Sequence, residues 1–354
     1  MPQLSAARTD RSDTHTEHRT QPVPSANERI HTVSVVVPVY RGELTIANLV
    51  AELDRYATPS KSPRGALFAI EEIVLVHDNG PDRSDVVLAE LAESNENVKV
   101  VWLSRNFGQD AATIAGMAAS RGDWVATLDE DGQHDPDYIG RFLDEALSQR
   151  ADLVYSRPTN TRPHGFVRNV ASMGSKFVLT SLFRFPSGTH FESYRLIRGD
   201  ISRKLSEVAA AGVYLDVALT WVVGRTATAP IELRSEGREE SGYTYRSLFS
   251  LFWKMVLCSG TRGLRIVSVL GAALGLAGIV LAGVVVVQTI DGTTDPDGWA
   301  SIIVAILLCS GAILFSLGMI AEYLGVALHV LAGRPLFLTV DSPTPRPDGE
   351  DKSH

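Results

Sequence analysis

Two carboxylates separated by one residue follow a short apolar run, and their type and spacing could bind a metal ion. Asp129 and Asp131 come directly after Trp124–Leu128, and Gln133 stands two positions further on. The apolar run predicts a β-strand, and the ligands of open α/β sheets bind beyond the carboxyl ends of strands. If the loop is extended, the three side chains point to the same side. Their oxygens suit Mg²⁺ or Mn²⁺ shared with a phosphate-bearing substrate, although a solvated acidic turn shows the same pattern.

The elements around this loop alternate between strand and helix. Four apolar, β-branched runs predict buried strands, and the segments between them have helical spacing. The strands are predicted at 32–40, 69–76, 98–103 and 124–128, and the helices at 43–56, 85–93 and 111–119. This order predicts an α/β fold with a mostly parallel sheet and helices on both faces, whose strand-end loops lie along one edge.

Several function classes are excluded by composition and by absent motifs. The formal net charge of −8, with no basic face, argues against a nucleic-acid partner. The sequence has neither a G-x-G-x-x-G loop after the first strand nor a G-x-x-x-x-G-K-[ST] loop, so phosphates would be met by a cation and by arginines. Residues 1–30 are polar and predict a disordered tail.

Two long apolar runs near the C-terminus predict membrane helices. They extend from Leu264 to about Ile290 and from Trp299 to about Leu328, and a helix of about 20 residues spans a bilayer core. Arginines stand outside the runs and acids between them, so the positive-inside rule places both termini in the cytoplasm. The preceding stretch 247–257, rich in Leu, Phe and Trp, predicts a helix in the membrane interface, with a buried core helix as the alternative.

Several motifs in this order resemble one known family. They are Val-Val-Val-Pro-Val-Tyr-Arg-Gly-Glu at 35–43, the Asp78 turn, Leu-Ser-Arg-Asn-Phe-Gly at 103–108, Leu-Asp-Glu-Asp-Gly-Gln-His-Asp-Pro at 128–136, and Gly333-Arg334-Pro335. From about residue 32 to 340 the chain is similar to family 2 glycosyltransferases of the GT-A fold. More narrowly, it resembles polyprenyl-phosphate sugar synthases of the dolichol-phosphate-mannose-synthase type with two C-terminal transmembrane helices.

The resemblance implies three groups of binding residues. The nucleotide would be held by Pro38, Tyr40, Glu43, Asp78, Asn106, Gly108 and Asp129, the metal by Asp129, Asp131 and Gln133, and the lipid phosphate by Arg157, Arg168, Ser172, Arg238, Tyr243 and Tyr245. One departure is that His77-Asp78 replaces the family's usual pair of acids, which leaves the nucleotide base unassigned. Taken without the resemblance, Asp78 is also an ordinary turn residue, and the arginines also fit a solvated face.

The same resemblance implies that the catalytic carboxylates would be Asp131 and Glu192. Asp216 is the alternative to Glu192 as the third carboxylate of the site. A salt bridge from Glu192 to Arg195, which are three residues apart, would instead give Glu192 a structural role.

The expected function is inverting transfer of a sugar from a nucleotide-diphosphate sugar to undecaprenyl phosphate in the cytoplasmic membrane. UDP-glucose is the leading donor, with GDP-mannose or a modified UDP-aminosugar as alternatives. A processive polysaccharide synthase would need a Gln-x-x-Arg-Trp motif, which is absent. A non-enzymatic membrane scaffold would not need the acids at 129 and 131. Gly271, Gly275 and Gly278 would permit a homo-oligomer, such as a tetramer, through the membrane helices.

These expectations divide the chain into five parts. They are a disordered tail (1–30), a catalytic domain (31–235), an acceptor loop with juxtamembrane helices (236–263), two transmembrane helices (264–331) and a cytoplasmic tail (332–354).

Overall fold

The computed structural model describes residues 29–160, 192–210, 213–234 and 299–343, together with scattered helical positions between 271 and 290. Five predicted lipid-phosphate residues lie outside the described residues: Arg168, Ser172, Arg238, Tyr243 and Tyr245. The predicted disordered tail up to residue 28, the segment 236–263 and the loop 291–298 also lie outside them.

One mixed sheet organises the described part of the chain. Its strands are β1 (Ile30–Val39), β2 (Ser60–Lys61), β3 (Leu67–His77), β4 (Val98–Leu103), β5 (Trp124–Thr127), β6 (Leu153–Pro158), β7 (Arg195–Arg198), β8 (Thr226–Ile231) and β9 (Thr339–Val340). The order across the sheet is β8-β6-β7-β5-β1-β3-β4-β9, and β2 pairs with β3 outside this path.

The four strands in the centre are parallel, as the sequence predicts. β1 pairs with β3 on one side and with β5 on the other, and β3 pairs with β4. Strands covered on both faces are apolar at almost every position, and all the valines of β1 are fully buried. The carboxyl ends of β1, β3, β4 and β5 therefore lie along one edge of the sheet.

Seven helices are described, six of which pack on the two faces of the sheet. They are α1 (Ile46–Asp54), α2 (Ser84–Ser94), α3 (Gln109–Ala119), α4 (Tyr138–Gln149), α5 (Gly199–Val208), α6 (Leu215–Val222) and α7 (Trp299–Leu331). Val35 and Val37 of β1 face the core of α1, α2 and α4, whereas Val36 faces the core of α3, α5 and α6. This alternation gives the sheet two apolar layers and confirms the predicted helices on both faces.

The antiparallel strand β7 is the main difference from a fully parallel sheet. It lies between β5 and β6, with Thr127 paired to Arg195 and Trp124 paired to Arg198. Its four residues are too few for a periodicity signal in the sequence. The pairing brings residues 192–195 beside the end of β5, where the acidic loop begins.

The C-terminal part returns to the sheet after a long helix. α7 has 33 residues, and β9 follows it and pairs antiparallel with β4 through Trp102 and Val340. Residues 339–340 are thus a strand within the region predicted as a tail. At the described positions, the first predicted span is helical between 271 and 290. When only the described residues are considered, no helix is long and apolar enough to cross a membrane.

Candidate active site

A cleft of about 740 Å³ lies over the carboxyl ends of the central strands. It is lined by residues from the loops after β1, β3, β4 and β5 and by the first residue of α3. Eight of the residues predicted from the sequence meet there: Pro38, Tyr40, Glu43, Asp78, Asn106, Gly108, Asp129 and Asp131. The parallel topology brings these loops together although they are up to about ninety positions apart in sequence.

Asp129 is held by donors from two other parts of the chain. Gln109 Nε2 donates to Asp129 Oδ1 at 2.6 Å, and Ser193 Oγ donates to Oδ2 at 2.5 Å. The backbone N–H of Asp129 donates to His134 Nδ1 at 3.1 Å, and the ring of His134 packs against that of Tyr194 with centroids 4.9 Å apart. A carboxylate has about four acceptor sites, so both oxygens of Asp129 retain capacity for a ligand in the cleft.

The loop after Asp129 turns instead of remaining extended. Gly132 has a φ of +74°, and the backbone N–H of Gln133 folds back to Asp131 Oδ1 at 3.0 Å. The carbonyl of Gln133 accepts the N–H of Arg234 at 3.1 Å. The loop is therefore not extended at Gly132, and Gln133 is not among the described residues lining the cleft. Its role as a metal ligand stays a prediction. Asp129 and Asp131 do share the cleft.

Glu130, which the sequence interpretation passed over, connects two of the loops. Its Oε2 accepts the N–H of Tyr40 at 2.7 Å, and its Oε1 accepts the N–H of Arg41 at 3.0 Å. Backbone N–H groups of successive residues form a site for anions, and here a side chain of the acidic loop occupies it. The acidic loop and the loop after β1 are thereby fixed to each other.

Asp78 has a similar role on the other side of the cleft. Its Oδ1 accepts the N–H of Phe107 at 2.7 Å, and its Oδ2 accepts the N–H of Gly108 at 2.9 Å. Burial raises the pKa of Asp78 above its usual 3.8, against the lowering effect of these two donors and of Arg105. Asp78 thus holds the loop that carries Asn106 and Gly108 at the cleft.

Glu43 is tied to the loop after β3 by a reciprocal pair of hydrogen bonds. The backbone N–H of Glu43 donates to Asp82 Oδ2 at 3.1 Å, and Glu43 Oε2 accepts the N–H of Arg83 at 3.1 Å. Asp82 also lines the cleft, although the sequence interpretation did not select it. Acids at turn positions are common, so only the spatial pairing distinguishes it.

The third catalytic carboxylate was left between Glu192 and Asp216. Asp216 is buried, forms an ion pair with Arg195 and accepts the hydroxyl of Tyr155 at 2.9 Å. Burial raises its pKa, although Arg195 and Tyr155 oppose that effect. Arg195 forms its ion pair with Asp216 instead of with Glu192. In β7 the Arg195 side chain is buried on the face of the sheet where Asp216 lies. Neither Glu192 nor Asp216 is among the described residues lining the cleft. Glu192 directly precedes Ser193, whose hydroxyl donates to Asp129.

Of the predicted lipid-phosphate residues, Arg157 is the one that the structure describes. It lies near the end of β6, opposite Pro230 of β8, and is exposed. It is not among the described residues that line the cleft. An exposed guanidinium is free to meet an anion from solvent.

Two of the carboxylates that line the cleft, Asp129 and Asp131, are the predicted metal ligands. Among the described residues, no group of three or more His, Cys, Asp or Glu side chains could hold a metal ion. Asp129 and Asp131 are hard oxygen donors in one cleft, which fits a cation that takes its other ligands from a diphosphate and water. The described residues do not supply enough ligands to hold a metal ion without the substrate or water.

Several residues of this site could not be selected from the sequence. Neither Gln109 nor Ser193 lies in a quoted motif, and the 128–136 motif contains Glu130 without giving it a role. Their partners are 20, 64 and about 90 positions away, respectively. The proximity of Glu130 to Asp129 and Asp131 was the one available signal.

The structure combines an α/β fold with a cleft lined by carboxylates at the ends of parallel strands. The model of the Glycosyl transferase family 2 matches residues 34–206. The undecaprenyl-phosphate 4-deoxy-4-formamido-L-arabinose transferase of Pseudomonas paraeruginosa is 30% identical over 315 residues, which cover 87% of this chain and 89% of that protein. The chain belongs to glycosyl transferase family 2, which confirms the resemblance read from the motifs.

Two further proteins match over different shares of the chain. The transferase of the same name from Proteus mirabilis is 28% identical over 316 residues, 88% of this chain and 94% of that protein. Glucosyl-3-phosphoglycerate synthase from Mycobacterium tuberculosis, solved with Mn²⁺ and UDP, matches with a TM-score of 0.46 and 16% identity over 66% of this chain and 80% of that chain.

Proposed function

We propose that this glycosyltransferase moves a sugar from a nucleotide-diphosphate sugar to a polyprenyl phosphate such as undecaprenyl phosphate, with inversion at the anomeric carbon. The observation that carries the proposal is the convergence of Asp129 and Asp131 with six further strand-end residues in one cleft. The relatives named as undecaprenyl-phosphate transferases, which match over nearly their whole length, support the acceptor.

For the donor we propose a nucleotide-diphosphate sugar and keep three candidates for its sugar. UDP-glucose remains one candidate donor. The relatives are named for 4-deoxy-4-formamido-L-arabinose, which favours the modified aminosugars that the sequence left as an alternative. Side chains that contact a sugar differ between enzymes of one fold, so both donors, with GDP-mannose as the third, belong in the test.

We propose that Asp129 and Asp131 hold Mg²⁺ or Mn²⁺ against the donor's diphosphate. Bound there, the cation would neutralise the charge that develops on the leaving nucleoside diphosphate. Asp131 lies in the cleft with one oxygen occupied by the Gln133 N–H. Asp129 is already oriented by Gln109 and Ser193.

The acceptor phosphate needs little help to become a nucleophile. A phosphate monoester carries a charge of about −1.5 to −2 at neutral pH, so a strong general base is dispensable. The protein must instead hold two anions together and exclude water. We assign the acceptor phosphate to Arg157 and to the predicted arginines outside the described residues, and we place Glu192 beside the site as the candidate third carboxylate.

We also propose that the two C-terminal apolar helices place the enzyme in a membrane, with its cleft on the cytoplasmic side. Support comes from the sequence of α7, which has no charged residue between Trp299 and Ala321. It also comes from its large exposed apolar side chains: Ile302, Ile306, Ile313, Leu314 and Leu317. A soluble helix would bury such a face.

The test is transfer of radiolabelled sugar into an organic-extractable lipid by the full chain in detergent. Undecaprenyl phosphate is supplied with UDP-glucose, GDP-mannose or a nucleotide-linked 4-deoxy-4-formamido-L-arabinose. We expect one donor to label the lipid and Asp131→Asn to abolish the labelling. Asp137→Asn is the matched control, because Asp137 lies outside the cleft lining and accepts the Tyr56 hydroxyl.

Two outcomes would overturn the proposal. Unchanged transfer by Asp131→Asn would remove the metal site. Formation of a long, water-soluble glycan in place of a lipid-linked monosaccharide would favour a processive synthase.

A further inference from the structure

A buried ion pair lies behind the cleft and does not line it. Arg195 and Asp216 are 5% and 4% exposed, and Tyr155, which is also buried, donates its hydroxyl to Asp216. A buried ion pair often contributes no more stability than apolar side chains of the same volume. Stability alone therefore does not account for this pair. Hydrogen bonds connect Arg195, through Thr127 and Ser193, to Asp129 in the cleft.

The first step of that path is the main chain of Ser193. Thr127 Oγ1 donates to the Ser193 carbonyl at 2.5 Å. Arg195 Nε lies 3.2 Å from Thr127 Oγ1 and 3.4 Å from the same carbonyl, donating to both. Ser193 is thus held by a hydroxyl and a guanidinium, and the guanidinium is itself held by Asp216.

The second step is the hydroxyl of Ser193. Ser193 Oγ donates to Asp129 Oδ2 at 2.5 Å. Asp129 follows β5 by two residues, and Thr127 is the last residue of β5. The rotation of the Asp129 carboxylate therefore depends on the position of Ser193, which Thr127 and Arg195 fix.

We propose that Arg195 and Asp216 are positioning residues that orient the Asp129 carboxylate for the cation, through Thr127 and Ser193. The inference rests on the proposed function, because it needs Asp129 as a metal ligand. Partners that orient a metal ligand commonly change metal affinity by 10- to 100-fold when they are removed. The hydrogen bond from Ser193 would likewise hold the Asp129 carboxylate in one orientation before the cation binds.

The first experiment measures Mn²⁺ binding to the full chain in detergent, without donor or acceptor, by isothermal titration calorimetry. Thr127→Val removes the bridging hydroxyl at nearly constant volume. We expect the Kd for Mn²⁺ to rise roughly tenfold, and Thr127→Ser, which keeps the hydroxyl, to restore it. A merely structural role for Thr127 would change the melting temperature without changing the Kd.

The second experiment tests whether Asp216 acts through Ser193. Ser193→Ala and Asp216→Asn are made alone and together. If one path connects them, the effect of Asp216→Asn on the Mn²⁺ Kd disappears in the Ser193→Ala background. Arg198→Gln is the matched control, since Arg198 lies on the same strand in an exposed ion pair with Asp200, and it should leave the Kd unchanged.

The outcomes separate this inference from the proposed function. If Asp129→Asn leaves Mn²⁺ binding intact, the metal proposal itself fails. If Asp129→Asn abolishes binding while Thr127→Val and Ser193→Ala leave it unchanged, only the positioning role fails. Should Asp216→Asn not fold, as removal of one partner of a buried pair can cause, the Thr127 and Ser193 variants decide alone.

Discussion

The carboxylate of Glu130 accepts the backbone N–H of Tyr40 at 2.7 Å across a sequence separation of 90 residues. It accepts the N–H of Arg41 as well, so one side chain of the acidic loop fixes the main chain of the loop after β1. Both loops line the cleft. The distance between the two sides of the donor site therefore depends on Glu130.

Substitution of Glu130 should weaken donor binding more than it slows the chemical step. At an exposed site a hydrogen bond contributes a net of about 0.5–1.5 kcal/mol, and a loss of about 1.4 kcal/mol corresponds to a tenfold change. We expect Glu130→Ala to raise the KM for the donor about tenfold, with a smaller change in kcat. Steady-state kinetics at saturating acceptor measures this.

The control for this prediction is Glu130→Gln, which keeps one oxygen acceptor. It should raise the donor KM less than Glu130→Ala does. An unchanged KM for both variants would show that the loop after β1 holds its position without the side chain.

The pH dependence of stability should carry the signature of Asp78. Burial raises its folded-state pKa above 3.8, so above pH 3.8 the folded state binds more protons than the unfolded chain. Its contribution to stability is then fully present below 3.8 and is lost as the pH rises through the raised pKa. The unfolding free energy of the wild type minus that of Asp78→Asn should therefore fall as the pH increases through that interval.

Asp200→Asn provides a control of opposite sign. The hydrogen bond from Arg198 lowers the pKa of Asp200 to about 2, so this group stabilises the folded state above 3.8 and loses that effect as the pH falls towards 2. Because Asp200 is exposed, solvent screening keeps its effect small. Urea unfolding followed by tryptophan fluorescence from pH 3 to 7 measures both variants. A flat difference for Asp78→Asn would contradict the assigned direction.

The parallel half of the sheet and most of the cleft could be predicted from the sequence. Doubly buried strands leave an unbroken apolar run, and the predicted runs end at residues 40, 76, 103 and 128. Each end lies within one residue of the end of the corresponding strand. Parallel topology then requires their loops to meet. The meeting of the loops that carry Asp78 and Asp129 follows from that rule, whereas Pro38 and Asn106 are predicted from the family resemblance.

What could not be predicted depends on side-chain direction and long-range pairing. The turn at Gly132 moves Gln133 away from the alternation that an extended loop would give. The four residues of β7 carry too short a pattern to show that Arg195 enters the sheet to meet Asp216. The hydrogen bonds from Tyr40 and Arg41 to Glu130 depend on the position of the loop after β1. No local sequence pattern predicts that position.

Gly80 marks a place where the loop after β3 touches the loop after β1. A Cβ on Gly80 would lie 1.7 Å from the carbonyl oxygen of Tyr40, so backbone would have to move. Overpacking costs about 1–3 kcal/mol or more. We expect Gly80→Ala to lower the melting temperature by roughly 5–10 °C and to weaken donor binding, as measured by thermal unfolding and by KM.

Gly224→Ala is the matched control, because its Cβ would meet its nearest neighbour, Asp152 Oδ2, at an ordinary 3.4 Å. Its melting temperature should stay close to that of the wild type. Equal melting temperatures for Gly80→Ala and the wild type would mean that the two loops separate without cost, contrary to the close contact.

Arg234 contacts the acidic loop and lies just before the predicted acceptor loop. Its guanidinium forms ion pairs with Glu52 at 2.7 Å and with Asp135 at 2.9 Å, and its N–H donates to the carbonyl of Gln133. The predicted acceptor loop, 236–263, begins two residues later. Loss of the Arg234 side chain would remove both ion pairs, two residues before that segment.

We expect Arg234→Met to raise the KM for undecaprenyl phosphate by roughly fivefold while the donor KM stays unchanged, since two partly exposed ion pairs together contribute about 1 kcal/mol. Arg64→Met is the control: Arg64 pairs with Glu145 at 2.7 Å but precedes the amino end of β3, on the opposite edge from the cleft. Kinetics with each substrate varied in turn distinguishes the two. A rise in the donor KM for Arg234→Met would contradict this prediction. It would mean that Arg234 supports the acidic loop, whose residue Gln133 contacts both Arg234 and Asp131.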